Sequence, residues 1–139
     1  MNIKFQKLSD SAKVPTYGHD GDAGLDLYVA KEAVIEPGER SSISTGIALE
    51  IPVGYVGLIW EKSGLAFKKG IATIGGVIDA PYRGEIMVGI RNDGKEAHSF
   101  QVGDKVAQLL IQPVQAAVLV EGDLLDTSRG ADGFGSTGV

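Results

Sequence analysis

The chain has 139 residues and no cysteine, which excludes disulfide scaffolds, cysteine-ligated zinc and thiol nucleophiles. Histidine is nearly as scarce. His19 and His98 are the only two, too few and too scattered to suggest a histidine-rich metal site; both read as ordinary surface or loop residues. No apolar run approaches the roughly 18 residues that a membrane-crossing helix needs, and the stretch after Met1 lacks the apolar core of a secretory signal. The expectation is a soluble, cytoplasmic or otherwise intracellular protein with no membrane partner. Cations are in the minority: 13 Lys and Arg against 18 Asp and Glu leave a formal charge of −5. A general grip on nucleic acid rests on clustered Lys and Arg, so no nucleic-acid partner is expected. An anionic small ligand would need local cations or a metal.

What is present is ordinary globular material, 43% hydrophobic and 22% charged. A chain of this length is one domain and buries roughly two-thirds of its unfolded surface. Short apolar or alternating runs dominate: "IKFQKL" (3–8), "GLDLYVA" (24–30), "ISTGIALEI" (43–51), "YVGLIW" (55–60), "EIMVGIR" (85–91) and "VAQLLIQPV" (106–114). Turn signals such as "EPGE", "IPVG", "RNDG" and "VEGD" separate them. Only "KSGLAFKKG" (62–70) reads as helix, one or two turns stopped by Gly70. The fold class expected is all-β, a jelly-roll-like sandwich or barrel with at most one short helix.

Several stretches carry polar chemistry. "RGADGFGSTG" (129–138) contains G-x-G-x-x-G on paper. The dinucleotide fingerprint needs a helix after it, and only Val139 follows here, so that reading is set aside. Glycine N–H groups can still form an anion nest, with hydroxyls from Ser136 and Thr137 and a forked charge from Arg129. Phe134 offers a face for a base, worth about 1–3 kcal/mol in single-strand binders. A frayed terminus is the competing reading.

"GGVIDAPYRGE" (75–85) places Asp79 after a strand-like pair and before a turn. Its carboxylate is either a general base or a turn cap, and Tyr82 either packs on a sugar or covers the core edge. In "EKSGLAF" (61–67), Lys62 and Ser63 stand at a helix start, where anions are favoured; Ser63 alone could be an N-cap. Asp26 alternates away from Leu25 and Leu27, and Gln108 sits inside an apolar strand, where its amide needs backbone or ligand partners.

In chain order, "AGLDL", "KSGLA", "GGVIDAPYRGE", "GDKVAQL" and "RGADGFGSTG" resemble the five motifs of the homotrimeric deoxyuridine triphosphate nucleotidohydrolases (dUTPases), over Ala23 to Gly138. The resemblance implies a β jelly roll over residues 1–128, a flexible C-terminal arm over 129–139, and three active sites shared between three subunits. It implies hydrolysis of dUTP to dUMP and pyrophosphate by water attacking the α-phosphorus. Asp79 matches the carboxylate that activates this water, and Tyr82 the ring that leaves no room for a 2′-hydroxyl. The hairpin from Thr73 through Gly76, Val77 and Ile78 to Tyr82 matches the reader of uracil, and Met87 lines the same pocket. Lys62, Ser63, Gly64 and Gln108 match phosphate contacts. Arg129, Ser136 and Thr137 match the γ-phosphate clamp, with Phe134 over the base and Gly135 beside it. Mg²⁺ is implied on the triphosphate and its waters, with no direct protein ligand and Asp26 reached through water. Two departures stand out. Lys62 replaces the usual Arg of the second motif and loses its bidentate geometry, and Ala80-Pro81 replaces a pair that often includes an acid. A related dCTP deaminase and a nucleotide-sensing regulator without turnover are the alternative readings.

Overall fold

A computed structural model of the chain describes residues 1–133. It contains eleven strands and one helix among the described residues. In chain order these are β1 (Lys4–Lys7), β2 (Leu25–Tyr28), β3 (Ala33–Ile35), β4 (Arg40–Ser44), β5 (Ile47–Glu50), β6 (Tyr55–Trp60), α1 (Ser63–Lys69), β7 (Ile71–Ile74), β8 (Val77–Ile78), β9 (Met87–Asn92), β10 (His98–Phe100) and β11 (Lys105–Pro113). The strands pair antiparallel in four sheets, ordered β1-β5, β10-β3, β2-β11-β6-β8 and β4-β9-β7. The arrangement is a jelly roll, as expected. Among the described residues no helix is long and apolar enough to cross a membrane.

Alternation explains the core. β9 runs exposed, buried, half-buried, buried, half-buried, buried, so Val88 and Ile90 point inward. There they meet Ile43 of β4, Ile71 of β7, Leu27 of β2, Ile59 of β6 and Leu109 of β11 in one cluster. The expected run 43–51 is two strands rather than one. Gly46 lies between them with φ of 65°, and a Cβ there would fall 2.7 Å from that of Ala12. Left-handed backbone and close approach together end β4 and redirect the chain into β5.

α1 follows the "KSGLAFKKG" expectation closely. Gly70 closes it in the left-handed conformation with φ of 70°, and Lys68 and Lys69 lie in its last turn, where cations suit the helix dipole. After β11 the character changes. Residues 114–133 form no strand or helix and are exposed throughout.

Candidate active site

The β7–β8 hairpin owes its shape to two glycines. Gly75 and Gly76 have φ of 74° and 104°, and a Cβ on Gly76 would sit 2.8 Å from the Ile59 carbonyl oxygen. That closeness lets Ile59 N–H donate to the Gly76 carbonyl at 2.8 Å and pins the hairpin to β6. Between them lies a cleft of about 290 Å³, lined by Leu58–Glu61, Thr73 and Gly75–Val77. Of the expected base-reading residues, Thr73, Gly76 and Val77 line it. Ile78 instead packs against the core, and Met87 begins β9 opposite Ser44 and is not part of the lining. The wall from Leu58 to Glu61 was not anticipated; Glu61 accepts a hydrogen bond from Thr73 Oγ1 at 3.0 Å and so braces it. Gly76→Ala is expected to cost about 1–3 kcal/mol of stability and to weaken the hold of the cleft on the expected nucleotide, measured by thermal unfolding and by KM.

Asp79 follows β8 directly and is exposed. Its carbonyl, not its carboxylate, closes the next turn, accepting from Tyr82 N–H at 3.0 Å. Turn capping by a carboxylate is done elsewhere, by Asp22, Glu39 and Asp104, each accepting a backbone N–H at 2.8 Å. Among the described residues nothing hydrogen-bonds the Asp79 carboxylate, so it stays available for a ligand or water. Arg83 stiffens the turn by donating to the carbonyls of Ala80 and Tyr82 at 2.5 and 2.8 Å. The Tyr82 hydroxyl donates to the Glu85 carbonyl at 3.0 Å, and its ring lies where a Cβ on Gly84 would be. Tyr82 therefore covers neither strand nor core; it stands 45% exposed with its ring fixed.

A second group of polar side chains gathers where β2, β11 and β6 run side by side. Gln108 pairs with Asp26 on one flank and Trp60 on the other. Its Nε2 donates to the Glu61 carbonyl at 3.0 Å, so the amide in the apolar strand has a backbone partner. Its body occupies the space a side chain on Gly24 would need. Asp26 is only 4% exposed and accepts from two ammonium groups, Lys62 through Oδ1 and Lys105 through Oδ2 at 2.7 Å. A β-bulge between Lys105 and Ala107 shifts the register there and brings Lys105 to this carboxylate. Lys105 was not foreseen. Ser63 is the first residue of α1 and not its cap; Lys62 holds the cap position, without a side-chain cap bond. Ser63 and Gly64 are exposed, and Ser63 opens with Gln108, Trp60 and Phe67 onto a hollow of about 410 Å³.

Burial alone would raise the Asp26 pKa, but the hydrogen-bonded ammonium groups of Lys105 and Lys62 outweigh it and hold the carboxyl below its ordinary value of 3.8. The Lys105 ammonium is in turn held above the ordinary lysine value by its bond to Asp26. A depressed carboxyl stabilises the fold fully above its unfolded value, and this contribution disappears as pH falls through the folded one. Asp26→Asn is therefore expected to flatten the loss of stability below about pH 4, measured as unfolding midpoint against pH, and to lower stability near neutrality.

Trp60 and Glu61 are shared by the cleft and this second group, but Asp79 lies apart from the second group within one chain. Gly57 pairs with Ile78, whereas Gln108 pairs with Trp60, so the end of β8 that carries Asp79 is roughly 10 Å along the sheet from the Asp26–Gln108–Trp60 row. Arg129 joins neither. It is exposed and its Nε donates to the Asp132 carbonyl at 3.0 Å. Phe134, Gly135, Ser136 and Thr137 lie outside the described residues.

The family model of dUTPase matches residues 10–138 of this chain. The chain belongs to the dUTPase family. A deoxyuridine 5'-triphosphate nucleotidohydrolase of Alkaliphilus metalliredigens is 47% identical over 99% of this chain and 98% of its own length. That of Thermobifida fusca is 44% identical over 99% and 79%. Among solved structures, the dUTPase of Staphylococcus bacteriophage 80alpha with dUPNHPP has a TM-score of 0.90 at 32% identity, covering 99% of both chains. A variant dUTPase from phage phi11 of S. aureus, described with a structural Mg(II) ion, has a TM-score of 0.85 at 29% identity over 91% of this chain. As a dUTPase, the chain keeps its motif side chains on the turn after β8, at the start of α1 and on β2 and β11.

Proposed function

We propose that the chain hydrolyses dUTP to dUMP and pyrophosphate, with Asp79 as the base. The observation that carries the reading is the exposed Asp79 carboxylate, without a described partner, on a turn held by Tyr82 and Arg83 and two residues on from Val77, which lines the β7–β8 cleft. Asp79 takes a proton from water as its oxygen attacks the α-phosphorus. The bond from that phosphorus to the bridging oxygen breaks, and pyrophosphate leaves with its electrons. Such chemistry is mostly positioning and charge neutralisation. A base slot lined by Gly75, Gly76 and Val77, two of which offer only backbone, suits uracil. It refuses thymine by its methyl group and cytosine by setting donor against donor, at about 1–3 kcal/mol for each buried group left unpaired. The fixed Tyr82 ring serves against a 2′-hydroxyl.

Lys62, Ser63, Gly64 and Gln108 take the phosphate side. Their separation from Asp79 along one sheet supports an active site completed by more than one chain, in a homotrimer. Residues 129–139 act as the arm that closes it, with Arg129 on the last phosphate. dUTP is made and consumed inside cells, so the protein works there. Mg²⁺ accompanies the triphosphate and supplies charge neutralisation. Both oxygens of Asp26 are engaged by lysines, so this carboxylate would reach the ion through water rather than directly. Pyrophosphate release from dUTP, dCTP, dTTP and UTP is the test, with and without Mg²⁺. dUTP is expected to exceed each of the others by about tenfold or more in kcat/KM. Equal rates would remove the specificity claim, and ammonia release from dCTP would favour a deaminase.

A further inference from the structure

A second concentration of positive charge lies at the far end of α1. The last turn of the helix and the turn between β9 and β10 enclose a hollow of about 360 Å³, lined by Lys68, Lys69, Gly70, Gly94, Lys95, Glu96, Ala97 and His98. Three lysines against one glutamate leave the lining two positive charges in excess, in a chain whose total is −5. None of these lysines belongs to an ion pair among the described residues.

The scaffold beneath them is rigid. Asn92 is fully buried; its amide donates to the carbonyls of Ile35 and Glu96 at 2.8 and 2.9 Å, and its oxygen accepts from Gly94 N–H at 2.9 Å. Asp93 N–H donates to the Gly70 carbonyl at 2.7 Å. A Cβ on Gly70 would lie 2.5 Å from Gly94 N, so the two turns meet backbone to backbone and side chains would part them. His98 is held edge-to-face against buried Phe100, ring centres 4.6 Å apart. Burial, then the nearby Lys69, push its pKa down, with Asp104 acting in the other direction. The hollow thus brings together unpaired lysines and an imidazole whose surroundings favour its neutral form, with an N–H that can donate.

We propose that this cleft is a second anion site, taking a compact oligophosphate of the inorganic pyrophosphate class on Lys68, Lys69, Lys95 and His98. Its volume is many times the roughly 30 Å³ share of one water in liquid, enough for a diphosphate with part of its hydration. Lysines bind phosphate oxygens as point charges with rotatable donors, which suits an anion offering oxygens in several directions. The choice of pyrophosphate rests on the proposed reaction, which would release it at the other end of the same helix. A seven-residue helix spans only about 10 Å.

The chain's two histidines make the test direct. In proton–carbon NMR of the full-length protein, inorganic pyrophosphate is titrated at constant ionic strength and the His98 ring resonance is followed, with His19 as internal control. Saturable movement of His98 alone is expected, with a Kd of about 1 mM or tighter. It should persist when dUPNHPP saturates the active site. Lys69→Ala/Lys95→Ala is expected to weaken it about tenfold or more and leave kcat/KM for dUTP unchanged. No movement of His98, equal movement of both histidines, loss of the effect under dUPNHPP, or an undiminished response in the double variant would each overturn the proposal. Because the titration needs no turnover, a failed hydrolysis assay would leave it standing.

Discussion

Asp79→Asn is expected to lower kcat for dUTP by about 10²–10⁴, the usual worth of a positioned general base, with the unfolding transition and KM close to wild type. The size follows from where Asp79 sits. Its backbone, through the carbonyl, holds the turn to Tyr82, so the amide replacement keeps every described hydrogen bond. Its carboxylate accepts none of them, so stability has little to lose. What disappears is the group that can accept a proton. Pyrophosphate release, KM and thermal unfolding measured on the same preparation check all three statements. A retained wild-type rate would exclude Asp79 as the base.

Ending the chain after Ser128 is expected to leave the jelly roll folded and to reduce kcat/KM for dUTP by about 10²–10³, the scale for losing one preorganised transition-state donor. The fold should survive because residues 114–133 bury nothing: Val118, Leu119, Val120, Leu124 and Leu125 are all at least 85% exposed. Past Val114, whose N–H donates to the Gly54 carbonyl, the described backbone hydrogen bonds of this segment are internal, such as Gly130 to Thr127. The loss of rate would come from Arg129 and the Ser136-Thr137 pair, removed together with Phe134. Circular dichroism and steady-state kinetics separate the two effects. Unchanged kinetics would make the removed residues a frayed end.

The runs best read from sequence were those with clear punctuation or alternation. "YVGLIW" is β6 residue for residue, and α1 stops at the glycine that ends its pattern. Short strands escaped. β3 and β10 have three residues each, too few to show a period of two, and they are strands because each pairs with the other. The motif side chains were legible as types but not as partners. Lys62 reads as a free cation for phosphate, yet in the folded chain its ammonium rests on Asp26, because a carboxylate that deeply buried must be neutralised. Lys105 gives no local signal at all; a bulge in β11 delivers it, and bulges depend on pairing rather than composition. Glu61 becomes interesting only when the hairpin places Thr73 against it.

The order of strands in the largest sheet sets a timetable for synthesis. β11, the last strand among the described residues, inserts between β2 and β6, so on the ribosome these two strands wait with open edges until some fifty residues beyond β6 have been made. At about 5–20 residues per second that delay lasts several seconds. During it α1 and the β7–β8 hairpin are made, but Asp26 lacks Lys105, and neither Asp26 nor Trp60 has Gln108 beside it. The Asp26–Lys62–Lys105–Gln108 cluster is thus a late product of translation, and a chain released before β11 would carry two unpaired strand edges with no means of closing them.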